Sequence, residues 1–327
     1  MKKILIPLFS LVVMSIVFHI DSRSHSKKVL MLAHNLDENH PVHLGMKFFA
    51  DKVYQDSQGK LQIKIYSNGQ LGREREVLEL IQLGAVAMTK VSALSLESFV
   101  PLYGVYNLPF IFRSKDHAYK VFDSDIGEFM LRHSESKQFR GLTYYDSGAR
   151  SFYAKKPILR PSDLEGIKIR VMGSKTVIEM MNELGGSPTP MGYGEIYTAL
   201  QQGVIDGAEN NISALVLSRH GEAAKHYSFD EHIISPDILI ISSEIWKRLT
   251  IKEREILKQA ANDSKYFQRK IWQSKTREYK KFAEEQLGVQ FHFPDKKPFV
   301  QKVSRLQEKL AEKGKDFRDL IMKIRSL

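Results

Sequence analysis

Two arginines stand where a guanidinium could reach into a cleft. Arg150 follows Ser147-Gly148-Ala149 at a turn leading into a strand, and Arg170 lies in Ile167-Lys168-Ile169-Arg170-Val171, where a period of two places it opposite the apolar residues. A guanidinium offers a planar fork of five donors, so two such forks meeting would hold a carboxylate better than lysines could. Structural ion pairs to Asp146 and Asp163 are the alternative reading. The stretch Gly207-Ala208-Glu209-Asn210-Asn211 ends another strand in two side-chain amides. Each amide both donates and accepts, which suits sugar hydroxyls in a site that excludes water, although Asn211 could equally cap the helix that follows. His34, Asp37, Glu38, His40 and His43 crowd the end of the first strand, but their spacing matches no metal template, and no metal is expected. The chain lacks the glycine fingerprint of dinucleotide binding, the phosphate loop, the paired-histidine zinc helix and the serine elbow, so no cofactor is expected either.

Alternating strands and helices must position these groups. Val29 to Asn35 reads as a buried strand, Pro41 to Ser57 as a helix, and Leu61 to Tyr66 as a strand of strict alternation. A helix over Glu74 to Leu83 and a strand over Ala87 to Val91 complete two βα units, which is α/β patterning. Strands follow at Gly141 to Tyr145, Ser151 to Lys155, Ile167 to Val171, Val204 to Asn210 and Ile238 to Ser242, with helices over Ser174 to Leu184 and Tyr193 to Gln202. The polar, proline-containing loop from Pro157 to Gly166 suggests a crossing between domains. Thr250-Ile251-Lys252-Glu253 is a capping box, and the apolar stripe beginning there runs to Gly288 without proline. One helix over 251–287 would be about 55 Å long and would have to brace both domains. Two shorter helices broken near Asp263-Ser264 fit the same stripe.

Composition bounds the class. The 327 residues leave room for two domains, and an apolar fraction of 43% supplies a core. The absence of cysteine excludes a disulfide scaffold, thiolate metal sites, a cysteine nucleophile and a lipid-modified N-terminus. The net charge of +11 is uneven, since residues 251–327 carry 20 Lys+Arg against 11 Asp+Glu while 29–250 carry 24 against 26. The bulk of the fold therefore has no basic footprint for nucleic acid, and the C-terminal excess reads as a solvated helix face. Lys2 and Lys3 precede the largely apolar Ile4 to Ile20, so residues 1–24 read as a secretory signal peptide of an exported, soluble protein; a retained single-span anchor is the alternative.

The ordered blocks Asp163-Leu164-Glu165-Gly166-Ile167-Lys168-Ile169-Arg170-Val171, Pro188-Thr189-Pro190-Met191 and Glu195 through Asn210 closely resemble the DctP family, the extracytoplasmic solute receptors of tripartite ATP-independent periplasmic (TRAP) transporters. Ser57-Gln58-Gly59-Lys60, Gly69-Gln70-Leu71-Gly72 and Leu108-Pro109-Phe110-Ile111-Phe112 add to the likeness, which covers essentially the whole mature chain. The resemblance implies an α/β, two-lobed periplasmic binding protein fold with cross-over strands and a long helix spanning both lobes. Lobe I would comprise residues 25–148 and about 236–275, lobe II 149–235 and about 276–327. It implies that Arg170 makes the main salt bridge to a ligand carboxylate, that Arg150 assists, and that Asn210 contacts the ligand. By similar placement Asn35, Glu74, Ser92, Met172 and Tyr193 line the cleft. Ser92 stands where sialic-acid binders carry glutamate, and Ser95 where they carry another arginine, which argues against sialic acid.

Gly148 to Tyr153, Tyr193-Gly194-Glu195, Ser218 to Glu222 and Pro236-Asp237 resemble the branch that takes sugar acids such as glucuronate, galacturonate and keto-gluconates. Glu74, Asn35, His40, Asn210 and Asp237 could then exchange hydrogen bonds with hydroxyls. The implied function is capture of a small organic acid by hinge closure and delivery to membrane permease subunits, with no bond in the ligand changed. A C4-dicarboxylate binder, a ligand-sensing co-receptor and an exported enzyme using Glu74 or His40 as a base remain as other readings.

Overall fold

A computed structural model describes residues 27–327; the expected signal peptide lies outside the described residues. Two sheets divide the chain. The first is ordered β2-β1-β3-β10-β4, from β1 (Lys28–Ala33), β2 (Leu61–Tyr66), β3 (Met88–Ser92), β4 (Phe139–Tyr145) and β10 (Asp237–Ser242). The second is ordered β11-β9-β5-β8-β6-β7, from β5 (Ala149–Ala154), β6 (Lys168–Val171), β7 (Ser187–Pro190), β8 (Gly207–Asn210), β9 (His226–Ile234) and β11 (Gln290–His292).

β1 pairs in parallel with β2 and β3, whereas β10 runs antiparallel between β3 and β4. In the second sheet β6 is parallel to β7 and β8, and β5 is antiparallel to β8 and β9. The carboxyl ends of β1, β3, β6 and β8 and the amino ends of β5 and β10 therefore face one another. That edge is where open α/β sheets bind ligands.

The chain crosses between sheets at Asp146–Gly148 and at Ser235–Pro236. The loop 157–166, expected as a crossing, instead connects β5 to β6 within the second sheet; its prolines serve a 3-10 turn, Pro161–Leu164. Two expected elements are shorter than their sequence signals. Tyr193 to Gln202 divides into a 3-10 turn, Tyr193–Glu195, and a helix, Ile196–Gln201, and only Gly207–Asn210 pairs as strand in Val204 to Asn210.

The third connection is one helix, Ile251–Glu285, unbroken through Asp263-Ser264. Its capping box is formed, with Glu253 N donating to Thr250 Oγ1 (3.2 Å) and Thr250 N to Glu253 Oε2 (2.7 Å). Ser264 does not interrupt it because its hydroxyl donates back to the Ala261 carbonyl (2.8 Å) within the helix. At 1.5 Å per residue its 35 residues span about 52 Å. Leu257, Ala260, Ala261 and Trp272 pack in the core of the first sheet, and Tyr279 and Ala283 in that of the second. Two lobes thus share one strut.

The last helix, Lys315–Ser326, returns to the first lobe and packs on Pro101–Val105 and Asp125–His133. Its Leu320, Ile321 and Ile324 join a core continuous with Leu102, Tyr103 and Met130, an attachment that the expected grouping of 276–327 with lobe II does not contain.

Candidate ligand-binding site

All ten residues expected at a ligand meet in one inner chamber between the lobes: Asn35, His40, Glu74, Ser92, Arg150, Arg170, Met172, Tyr193, Asn210 and Asp237. The chamber measures about 40 Å³ and adjoins an outer cleft of about 580 Å³, the two sharing Asn35, Glu74, Arg170, Met172 and Tyr193.

Arg170 is held at the end of β6 and is 2% exposed. Its Nε and Nη2 both donate to the Met191 carbonyl (3.1 and 2.8 Å), which fixes the plane of the guanidinium and leaves Nη1 buried without a partner. Asp163, the alternative partner, pairs instead with the exposed Arg160 (3.3 Å). Among the described residues, the other buried cations all have carboxylates: Lys90 has Glu74 and Asp237, Arg150 has Glu209, and Lys265 and Arg269 have Asp123. Arg170 has none. Burial, with the Arg150 charge adding to it and Glu209 opposing, lowers its pKa from the usual arginine value.

Arg150 differs. Its Nε donates to Glu209 Oε2 (2.5 Å), Nη2 to Glu209 Oε1 (3.0 Å) and the Glu209 carbonyl (2.7 Å), and Nη1 to Asn210 Oδ1 (3.0 Å). Its ion pair is therefore with Glu209, while Asp146 is taken by Lys115 (2.6 Å) and Tyr119 (2.5 Å). Burial would raise the Glu209 carboxyl, but Arg150 and His232 hold it down to about 2. Burial likewise opposes charge on His232, yet Asp230 (2.7 Å) and Glu209 (3.5 Å) raise it to about 9. Asn210 Oδ1 accepts from Arg150 and from Asn211 N (2.8 Å), so its amide nitrogen is the group left to donate.

Lys90, in the middle of β3, is outside the expected set and lines the chamber. Its Nζ lies 2.8 Å from Glu74 Oε1 and 3.4 Å from Asp237 Oδ2, and Ser95 donates to the other Glu74 oxygen (2.6 Å). Burial pushes both carboxyls up; for Glu74, Lys90 and Ser95 outweigh it and the pKa falls, whereas Asp237, more loosely held, stays raised. A charged residue amid an apolar strand was the available signal for Lys90.

His40 binds protein at both ring nitrogens. Nδ1 accepts from Val42 N (3.2 Å), so the neutral ring carries its proton on Nε2 and donates to Ser213 Oγ (3.1 Å). Burial, with the Lys90 charge adding to it, keeps the imidazole neutral. Ser213 donates to Asn211 Oδ1 (2.6 Å), and Asn211 Nδ2 to the Ser147 carbonyl (2.9 Å), a chain that ends at the first crossing. Asn211 Oδ1 also accepts from Ser213 N (3.0 Å), while the N-cap of the helix Ser213–Leu217 is Ile212. The remaining histidines of the cluster face each other: His34 Nε2 and His43 Nδ1 are 3.0 Å apart. Glu38 accepts from Ser67 (2.8 Å), and Asp37 from Asn39.

Asn35 Oδ1 is buried without a donor. The Tyr193 hydroxyl bonds Ser218 Oγ (2.6 Å), which sets the ring as a wall, and the Ser92 hydroxyl accepts from Leu94 N (3.3 Å). Beside the chamber, the buried Glu97 of the first lobe accepts from Asn107 (3.0 Å), Ser174 and Thr176 (2.8 Å) at the start of helix Lys175–Leu184. Glu97 too was not among the expected residues.

A cleft between two hinged sheets, lined by polar groups with one uncompensated guanidinium, defines a binder of small organic anions. The chain belongs to the bacterial extracellular solute-binding proteins, family 7 (DctP), whose model matches residues 32–314. It is 40% identical over 292 residues to the protein YiiZ of Salmonella typhimurium, covering 89% of each chain. It is also similar to a TRAP periplasmic solute-binding protein of Anaerococcus prevotii solved with D-glucuronate bound: TM-score 0.88, 38% identity, 92% of this chain and 99% of that one. Another, from a Bradyrhizobium species in complex with D-galacturonate, gives a TM-score of 0.89 at 36% identity, covering 92% of this chain and 100% of that one.

Proposed function

We propose that this protein is a periplasmic receptor that captures a hexuronate, such as glucuronate or galacturonate, by closing its lobes, and presents it unaltered to a TRAP permease. The observation that carries the reading is Arg170, a buried cation whose Nη1 has no partner and which has no carboxylate of its own. An unpaired buried charge is costly, and a ligand carboxylate relieves it. Asn35 Oδ1, the Asn210 amide and Asp237 are suited to exchange hydrogen bonds with hydroxyls, while Tyr193 and Met172 offer surface to a sugar ring.

In the closing motion residues 25–148 with about 236–275 form one lobe, and 149–235 with most of 276–327 form the other. A ligand engages one lobe first; the closed form is then selected because only it presents Arg170, Asn210 and Tyr193 together with Asn35, Glu74 and Asp237. Among the described residues, no helix is long and apolar enough to cross a membrane, which fits a receptor delivering to a separate permease. The mature protein should be screened by thermal shift and calorimetry against hexuronates, aldonates, keto-acids and C4-dicarboxylates. A melting shift of several degrees with a hexuronate is expected, because a ligand that binds only the folded state stabilises it. A shift with C4-dicarboxylates and none with sugar acids would overturn the hexuronate assignment.

A further inference from the structure

We propose that Asp237, tethered by Lys90 across from Glu74, excludes a second carboxylate from the chamber, so that the receptor takes monoanionic sugar acids and rejects the dianionic aldarates. The proposal rests on the sugar-acid reading above and concerns what else a bound acid can carry.

The fixed charges of the chamber are unevenly balanced. Arg150 is neutralised by the two oxygens of Glu209. Arg170 is a surplus cation. Lys90 is the reverse case, one ammonium serving two carboxylates, so the Lys90, Glu74 and Asp237 cluster carries a surplus negative charge. All three side chains are buried, where water screens little.

The two carboxylates of the cluster are not equivalent. Glu74 has a close donor on each oxygen, Lys90 at 2.8 Å on one and Ser95 at 2.6 Å on the other. Asp237 has Lys90 alone, at 3.4 and 3.5 Å, which leaves its oxygens open to donors from a ligand. Its position is fixed by the backbone: it opens β10 directly after the Pro236 crossing, in register between Ser92 of β3 and Tyr145 of β4. A hydroxyl can donate to such a carboxylate. A carboxylate has no proton to donate, and its charge adds to a cluster already negative.

A hexuronate carries its single carboxylate to Arg170 and shows hydroxyls elsewhere. The corresponding aldarate differs by oxidation of C1 to a second carboxylate, so galacturonate and galactarate form the probe pair. The ratio of their dissociation constants is measured by calorimetry in the wild type, Asp237→Asn and Glu74→Gln, each checked by its melting curve. Galactarate also lacks the ring, so the change in ratio between variants, rather than the wild-type ratio alone, reports the charge.

The wild type is expected to prefer galacturonate at least a hundredfold, and Asp237→Asn to narrow that ratio tenfold or more. Glu74→Gln removes the same charge and carries the test alone if Asp237→Asn does not fold. A wild type that binds both acids equally, or a ratio unchanged in the variants that fold, overturns the exclusion and leaves hexuronate capture standing. A wild type that binds no hexuronate removes the function and this proposal with it.

Discussion

Arg73 of the first lobe and Glu195 of the second form an ion pair across the mouth of the cleft, Arg73 one residue before the chamber's Glu74 and Glu195 two residues after its Tyr193. The pair exists only while the lobes are together, so it acts on escape rather than entry. Because it is partly exposed, with 65% and 43% of the side chains accessible, its worth is about 1 kcal/mol at most. Arg73→Gln should speed ligand dissociation up to about fivefold and leave association unchanged, as stopped-flow fluorescence would read. The reversal Arg73→Glu with Glu195→Arg should restore slow release.

Arg170→Ala should abolish detectable binding by calorimetry while the protein still melts cooperatively. Arg170→Lys should keep only a small part of the affinity. A lysine has neither the plane that the Met191 carbonyl fixes nor a second donor at the Nη1 position. Near-native affinity in the alanine variant would dismiss the anchor.

Gly148 adopts φ +66° in the first crossing, and a Cβ there would stand 2.8 Å from the Trp272 ring. Gly148→Ala combines a left-handed backbone with a steric conflict, at a cost of about 2 kcal/mol or more. A fall in Tm of roughly 4–8 °C is expected by differential scanning calorimetry.

The buried histidines predict a stability maximum near pH 6.5. His232 is raised to about 9, so its contribution is complete below 6.5 and is lost as pH rises towards 9. His34 and His220 are lowered to about 3, chiefly by burial, so theirs is complete above 6.5 and is lost as pH falls towards 3. Glu209, held down to about 2, adds a further loss between 4.5 and 2. Urea denaturation across this range should trace both limbs, and His232→Gln should flatten the alkaline one.

What the sequence makes legible is local. The alternation in Leu61–Tyr66, the Thr250 capping box and the Ile-Arg-Val strand are each complete within a few residues, and each stands in the structure where its pattern puts it. Of the site, the residue types at strand ends were readable, but their partners were not. Arg150 meets Glu209 from 59 residues away, and no periodicity reports a pairing at that distance. β9 escaped for another reason: Ser228, Asp230 and His232 recur every second residue as if facing water, yet all three are buried, Ser228 and Asp230 receiving the Ile158 and Phe152 amides and His232 lying between Asp230 and Glu209. The last helix carries an ordinary amphipathic pattern, and nothing in that pattern names the lobe it covers.

Gln268, on the long helix, receives the Asp146 amide on its side-chain oxygen and donates its side-chain nitrogen to the Asp146 carbonyl, both at 2.8 Å. The chain is thereby pinned at the first residue of the crossing, and Tyr145, the last of the strand, adds a second pin through Ser264 (2.9 Å). Sliding is denied to this pivot, and rotation within the first crossing is left to Ser147 and Gly148. An axle anchored this way returns each opening to the same register, which is what a shuttle needs if every delivered molecule is to arrive in one orientation.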